Sequence, residues 1–258
     1  MAKVFITGSS DGLGLMVGRF LAAQGHAAVL HARSEERAAD ARAALPQAAA
    51  VLVGDVSTLA AMRSVAEQAN AQGRFDAVIH NVALGYREPR RVETVDGLSQ
   101  LWAVNVLAPY VLTALMHKPG RLIYLSSGMH TSGNPNLDLD DPQWSRRPWN
   151  GSQAYADTKL HDVLLAFGVA RCWPDVLSNA MTPGWVPTKM GGEGAPDDLD
   201  QGHLTQAWLA VSDDPEARVT GRYFYHQRLK DANPAAQNPA LQDRLLDYCR
   251  DLSGVALA

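Results

Sequence analysis

Two stretches of the chain carry residue types that could do chemistry together. Tyr155 and Lys159 are four apart, so on a helix they project from one face. A phenol titrates near about 10, too high to give and take a proton easily at neutral pH, and a neighbouring ammonium lowers it by favouring the phenolate. Alone, such a pair is as often a surface helix pair. Near the start, Thr7-Gly8-Ser9-Ser10-Asp11-Gly12-Leu13-Gly14 follows the apolar run Val4-Phe5-Ile6 and opens an apolar helical pattern. Strand, glycine-rich turn and helix in that order let backbone N–H groups approach a pyrophosphate at the positive end of the helix. A Cβ at those glycines would collide with the phosphates or with the helix packing. A glycine turn is a weak signal alone, and the run Tyr155 to Lys159 with paired serines upstream at Ser126-Ser127 strengthens it.

Elements must position these residues. Strand-like runs recur at 3–7, 27–32, 50–54, 75–80, 120–126, 175–181 and 222–225. Between them lie helical patterns near 13–24, 34–44, 58–72, 93–117, 152–172 and 203–212, with a last one near 238–252. The alternation predicts βαβ units, hence an α/β, single-domain Rossmann fold: a doubly wound parallel sheet of about seven strands with helices on both faces. Two irregular stretches, 128–151 and 182–202, are longer than ordinary loops and follow strands, which puts them on the ligand side as active-site loops.

Composition bounds the function. A chain of 258 residues suits one α/β domain over 1–258, and 47% apolar residues suits a sheet covered on both faces. A net charge of −4 with scattered basic residues favours neither nucleic acid nor an anionic membrane as partner. Cys172 and Cys249 are far apart, which reads as reduced thiols. His31, His80, His130 and His161 show no ligand spacing, so no metal is expected; His161, six residues after Tyr155, reads as a packing or surface residue. A first strand at residue 3 leaves no room for a signal peptide, and no stretch nears the roughly 18 apolar residues of a membrane span. The expected location is cytoplasmic.

These motifs together resemble the short-chain dehydrogenase/reductase family, marked by Thr-Gly-x-x-x-Gly-x-Gly near the start and Tyr-x-x-x-Lys past the middle. The likeness runs from Lys3 to about Gly254. Within the family the chain resembles most the retinol-dehydrogenase-like branch, through Leu137-Asp138-Leu139, Trp144, Trp149 and Gln153-Ala154-Tyr155, and through Gly221-Arg222-Tyr223-Phe224, Pro234-Ala235-Ala236 and Leu241. The resemblance implies a nicotinamide cofactor held by Thr7, Gly8, Ser9, Ser10, Gly12, Leu13 and Gly14. Where NAD enzymes of this fold carry an acidic residue after the second strand, the chain has Ala32-Arg33. A carboxylate repels a 2′-phosphate and a guanidinium grips it, so the expected cofactor is NADP(H), with Arg33 its chief determinant and Ser9, Ser10 and Ser34 lesser ones. Asp55 and Val56 resemble the adenine contact, although Asp55 also reads as a helix N-cap. Asn81 matches a ribose contact, while Ala83 replaces a family glycine and Gly85 is read as restoring flexibility. Pro183, Gly184, Val186 and Thr188 match the stretch around the carboxamide.

By the same resemblance Tyr155 is the general acid/base, and Lys159 lowers its pKa and holds the nicotinamide ribose. Ser127 orients the substrate carbonyl, with Ser126 the runner-up. Asn105 matches a proton-relay asparagine, and it also reads as a buried amide satisfying nearby backbone. The implied activity is hydride transfer on a small-molecule carbonyl/alcohol substrate. Trp144, Trp149, Trp185 and Tyr86 suit an apolar or aromatic one, and equally suit loop stapling. Arg146-Arg147 could attract an anion or only water, and 189–202 reads as a lid. Alternatives are a non-catalytic NADP(H)-binding redox sensor or scaffold, and a reductase of an activated C=C bond. Family members pair through helices near 93–117 and 152–172, so a homodimer or homotetramer is expected alongside the alternative of a monomer.

Overall fold

A computed structural model describes residues 1–134 and 140–257; the branch signature Leu137-Asp138-Leu139 lies outside the described residues. Eight strands form one sheet in the order β3-β2-β1-β4-β5-β6-β7-β8. They are β1 Lys3–Ile6, β2 Ala27–Ala32, β3 Ala50–Val53, β4 Ala77–His80, β5 Arg121–Leu125, β6 Leu177–Thr182, β7 Tyr223–Tyr225 and β8 Arg228–Leu229. The first seven pair in parallel, as expected. The eighth is an addition to the seven read from the sequence. It is a two-residue antiparallel strand on β7, reached through His226 and Gln227, whose φ of 48° and 58° make the tight left-handed hairpin turn. Chain order reverses between β1, which pairs with β2 on one side, and β4 on the other. That switch point is where a doubly wound sheet offers a crevice.

The helices are α1 Gly12–Ala23, α2 Glu35–Ala44, α3 Leu59–Ala71, α4 Gln100–Trp102, α5 Ala108–Leu115, α6 Gly151–Cys172, α7 Leu204–Val211 and α8 Pro239–Ser253. Their two layers give two apolar cores. Val4, Ile6, Leu30 and Ile123 face α1, α2 and α7. Phe5, Val29, Val78 and Leu122 face α3, α5, α6 and α8. Alternate residues of each strand thus enter opposite cores, which is why the strands are apolar throughout rather than alternating.

The helix expected over 93–117 is corrected. Residues 92–98 form a hairpin-like turn instead: Gly97 has φ 76°, Thr94 N donates to the Leu98 carbonyl, and Glu93 bridges Ser99. An Asp96-Gly97 pair favours that turn, and Asp96 also caps the start of α3 by accepting from Leu59 N. Between α4 and α5, Ala103–Leu107 form a π-turn, which widens the helix at Asn105. Helix α6 is buried on nearly every side, 17 of its 22 residues, because the sheet, α4, the π-turn after it, α8 and the turn Gly128–Ser132 all pack on it. Much of the α6 surface, one of the two helices through which pairing was expected, is thus covered within the chain. Among the described residues no helix is long and apolar enough to cross a membrane.

Candidate active site

At the switch point the glycine turn closes on itself. Gly8 has φ +60°, and a Cβ there would come within 2.9 Å of Val82 Cα. A Cβ on Gly14 would lie 2.5 Å from the Gly8 carbonyl and 2.6 Å from Asn81 Nδ2, so α1 can meet β1 this closely only with glycine. Around Gly12, at φ +54°, there is open space, and Asp11 at the N-cap makes no side-chain bond to the helix. The first-turn N–H groups are thus free of a side-chain cap, facing a cradle that Cβ atoms would fill, and this fits a pyrophosphate.

Several expected cofactor residues turn out to build that cradle. The Ser9 hydroxyl donates to the Ile6 carbonyl at 2.8 Å and accepts from His31 N at 2.8 Å, and Ser9 is fully buried. Its side chain therefore braces the turn, leaving a phosphate only the backbone. Thr7 Oγ1 accepts from Asn81 N and Val82 N, and Asn81 Nδ2 donates to the Thr7 and Gly8 carbonyls, both at 2.9 Å. His31 was missed as a cradle residue: its Nδ1 accepts from Gly8 N at 3.0 Å and its Nε2 bonds the Gly54 carbonyl at 2.9 Å. Burial pushes this imidazole down to about 4, which keeps it neutral and able to do both. Ser10 and Leu13 are half-buried at the rim.

Beyond β2, Arg33 is exposed, and the Ser34 hydroxyl caps α2 by accepting from Arg37 N. Arg37, in the first turn of α2, pairs with Asp11 at 2.7 Å, and Lys189 meets the same carboxylate oxygen at 2.7 Å. Burial alone would raise the Asp11 carboxyl; Lys189 and Arg37 together hold it below its usual value. Arg37, three residues after the Ser34 cap, is a basic residue near the cradle that sequence reasoning left unread. Past β3, Asp55 is exposed and bonds Ser57 N, while the N-cap of α3 is Thr58; Val56 is buried beside it. Gly85 keeps an ordinary φ, and its need is room: a Cβ would lie 2.8 Å from Met190 Cγ.

The segment after β6 folds across the cradle. Gly184 takes φ +86° so that Asp197 can approach, and Asp197 Oδ2 accepts from Trp185 N at 2.6 Å. Pro183 is half-buried and Val186 buried; Thr188 Oγ1 accepts from Gly191 N. Trp185 Nε1 donates to the Gly191 carbonyl, and Met190 Sδ takes the Tyr155 hydroxyl at 3.9 Å.

Tyr155 and Lys159 lie on α6 beneath this segment, 6% and 2% exposed. Lys159 Nζ is 5.6 Å from the Tyr155 ring centre. Burial pushes the phenol above its ordinary value, against the Lys159 charge and the Ser127 hydroxyl, which pull it down. The two serines separate cleanly. Ser126 is buried and its hydroxyl donates to the Lys159 carbonyl at 2.6 Å. Ser127 Oγ accepts from Met129 N and is half-exposed toward Tyr155, its O–H uncommitted to that bond. His130 steadies it, its Nδ1 bonded to the Ser127 carbonyl at 2.7 Å and its Nε2 accepting from Asn233 N. Asn105 is fully bonded: its Oδ1 accepts from Leu84 N, and its Nδ2 donates to the Leu84 carbonyl and to Thr158 Oγ1. Thr158 in turn donates to the Tyr155 carbonyl, so the backbone-satisfying role of Asn105 is visible here.

The walls here are apolar: Leu84, Tyr86, Met129, Trp149 and Met190 pack against the cluster of Leu101, Trp144, Ala154 and Tyr155, with the Tyr86 ring 5.8 Å from that of Tyr155 and edge-on. Trp144 and Trp149 also staple the loop, their rings 5.9 Å apart and their N–H groups donating to Asp157 and to the Glu88 carbonyl. Trp185 is 53% exposed. Arg147 is no substrate anchor: it stacks 3.7 Å over Trp144 and pairs with buried Asp157 at 3.2 Å. His161 is fully buried, a packing residue whose ring nitrogens have no hydrogen-bond partner. Among the described residues, no group of three His, Cys, Asp or Glu could hold a metal ion.

The family model described as short chain dehydrogenase matches residues 2–138. An uncharacterized oxidoreductase of Emericella nidulans is 44% identical across 100% of this chain and 99% of its own. An uncharacterized protein from Mycobacterium paratuberculosis has a similar fold, with TM-score 0.83 at 22% identity over 100% of this chain and 95% of that one. A blue fluorescent protein from a metagenomic library, in complex with NADPH, has TM-score 0.67 at 25% identity over 86% of this chain and 95% of its own. Matched by the family model over more than half its length and by a relative along all of it, the chain belongs to the short-chain dehydrogenases, a family of oxidoreductases.

Proposed function

We propose that the protein is an NADP(H)-dependent oxidoreductase acting on the carbonyl/alcohol pair of an apolar or aromatic small molecule. The observation that carries this reading is the Tyr155 phenol, buried beneath apolar walls and within reach of the Ser127 hydroxyl and the Lys159 charge. Bound NADPH would supply the hydride. Tyr155 gives its proton to the carbonyl oxygen as negative charge builds there, and Ser127 donates a second hydrogen bond to that oxygen. Lys159 stabilises the phenolate left behind. Met190 lies on the phenol, so an entering carbonyl displaces it and residues 189–202 close again over the substrate. Asn105 fixes the Tyr155 backbone through Thr158.

NADP(H) is favoured over NAD(H) by Arg33, exposed at the end of β2 with no acidic residue in its place, and by Arg37 in the first turn of α2. The NADPH in the metagenomic relative supports the same choice. Calorimetric titration with NADPH and NADH tests it. A charged hydrogen bond contributes about 1.5–3 kcal/mol, so Arg33→Ala should weaken NADPH binding about 10- to 100-fold and leave NADH binding almost unchanged. An unchanged NADPH-to-NADH ratio in R33A and in R33A/R37A would remove both arginines from the role.

A further inference from the structure

Lys159 does not face Tyr155 as a lone charge. Its Nζ donates to Asp162 Oδ2 at 2.7 Å and to the Leu125 carbonyl of β5 at 2.8 Å. Asp162 is three residues further along α6, on the same face, and both residues are 2% exposed. Tyr155, Lys159 and Asp162 thus form one buried cluster. With the phenol protonated its formal charge is zero; ionising the phenol leaves a buried net charge of minus one. Remove the carboxylate and the balance inverts, since the phenol with the ammonium is then a buried cation and the phenolate form is neutral. Burial penalises whichever state carries net charge.

We propose that Asp162 is a positioning residue that acts through Lys159: it balances the ammonium, keeps the Tyr155 phenol protonated near neutral pH, and sets the site to protonate a carbonyl rather than deprotonate an alcohol. This rests on Tyr155 being the proton donor. From neighbouring elements, Ser127 and Tyr86 act on Tyr155, while Tyr124 of β5 and Tyr223 of β7 lie near enough to feel the charges of Asp162 and Tyr155; none of these four is an Asp, Glu, Lys or Arg. The ionisation of the cluster agrees. Burial pushes the Asp162 carboxyl up to about 6 while Lys159 pulls it back, leaving it ionised at neutral pH. Asp162, overcoming burial, holds Lys159 above its usual value, and it adds to the rise at Tyr155 that burial begins. The Leu125 carbonyl and the carboxylate together also fix where Nζ sits, so the charge reaches Tyr155 from one set position.

The test is the ionisation of Tyr155 itself, followed by tyrosinate absorbance in each protein minus its Tyr155→Phe counterpart. In the wild type the midpoint should lie above the ordinary phenol value of about 10. In Asp162→Asn, which keeps the shape and one acceptor, it should fall by about one unit or more, a tenfold rise in phenolate at a given pH. Asp162→Glu keeps the charge and should stay near the wild type. Where a carbonyl substrate is turned over, kcat/KM for alcohol oxidation in D162N should rise at correspondingly lower pH. A D162N midpoint equal to the wild type, or a D162E midpoint as low as that of D162N, overturns the proposal. Should D162N fail to fold, Asp162→Ser is titrated in its place and the same outcomes decide. The titration needs no substrate, so a shifted midpoint in a protein that reduces no carbonyl would sink the proposed activity and leave the role of Asp162 standing.

Discussion

Asp157→Asn should cost the protein about 3 kcal/mol, and the loss should begin at the loop over the active site. Asp157 is fully buried two residues after Tyr155 and accepts four hydrogen bonds. They come from Gln153 Nε2 at 2.8 Å, Trp144 Nε1 at 3.1 Å, Arg147 NH2 at 3.2 Å and Asn134 N at 3.2 Å. Three of those donors belong to the stretch between Ser127 and α6, so one carboxylate ties that loop to the catalytic helix. An amide keeps the shape, removes the charge and turns one accepting oxygen into a donor, which then faces N–H groups. Breaking a buried ion pair costs about 3–5 kcal/mol. Arg147 retains Asp141 at 3.8 Å and is about a quarter exposed, which favours the low end. At about 2–4 °C per kcal/mol for a chain of this size, Tm should fall by about 6–12 °C. Differential scanning fluorimetry reads the shift, and limited proteolysis should find the first new cleavage within 140–150. KM for an apolar carbonyl compound should rise more than kcat falls. A Tm within about 2 °C of the wild type, with no new cleavage in the loop, would refute the reasoning.

Acid should destabilise the fold below about pH 6.5 through its buried histidines. Burial pushes His31, His80 and His161 down from 6.5 to about 4, 3 and 3, so all three fold neutral. Between pH 6.5 and about 4 the unfolded chain binds those protons and the native chain does not, so stability complete above 6.5 is lost as pH falls. Asp162, pushed up to about 6, binds its proton in the native state first and offsets one of the three. The net slope is about 2.7 kcal/mol per pH unit between roughly pH 6 and 4, which urea midpoints across that range would show. A flat profile there would contradict it. Light scattering should give a mass near the 27.8 kDa of one chain, because α8 and the turn at 128–132 occupy the faces of α6 that pairing would use. A stable dimer that survives dilution would place pairing on another face.

Much of this was legible in the sequence, for physical reasons. Strands such as Val4-Phe5-Ile6 are apolar throughout because each face enters a core, and the glycine turn announces itself because Gly14 tolerates no Cβ. The helix read over 93–117 began too early because Asp96-Gly97 spoke for a turn against a helical pattern around it. What stayed hidden was mostly buried polar pairing. Ser9 reads as a phosphate ligand until His31 is seen holding its hydroxyl, 22 residues away. Arg147 reads as an exposed loop arginine until Asp157 and the Trp144 ring are placed against it. Asp162 was within reach, since Lys159-x-x-Asp162 puts both charges on one helix face. Its weight depended on knowing that this face is the interior, and a helix hydrophilic at Asp157, Lys159, His161 and Asp162 does not show that in sequence.

The central claim is that the Tyr155 phenol protonates a carbonyl reduced at the expense of NADPH. Its most direct test is NADPH consumption by the wild type and by Tyr155→Phe across a panel of apolar and aromatic ketones, aldehydes and activated alkenes, with NADPH affinity measured in both. The wild type should consume NADPH with carbonyl members of the panel. Y155F should bind NADPH as tightly while its turnover falls by at least about a hundredfold, the low end of what a positioned proton donor contributes. Turnover in Y155F near that of the wild type, or consumption with the alkenes alone, would contradict it.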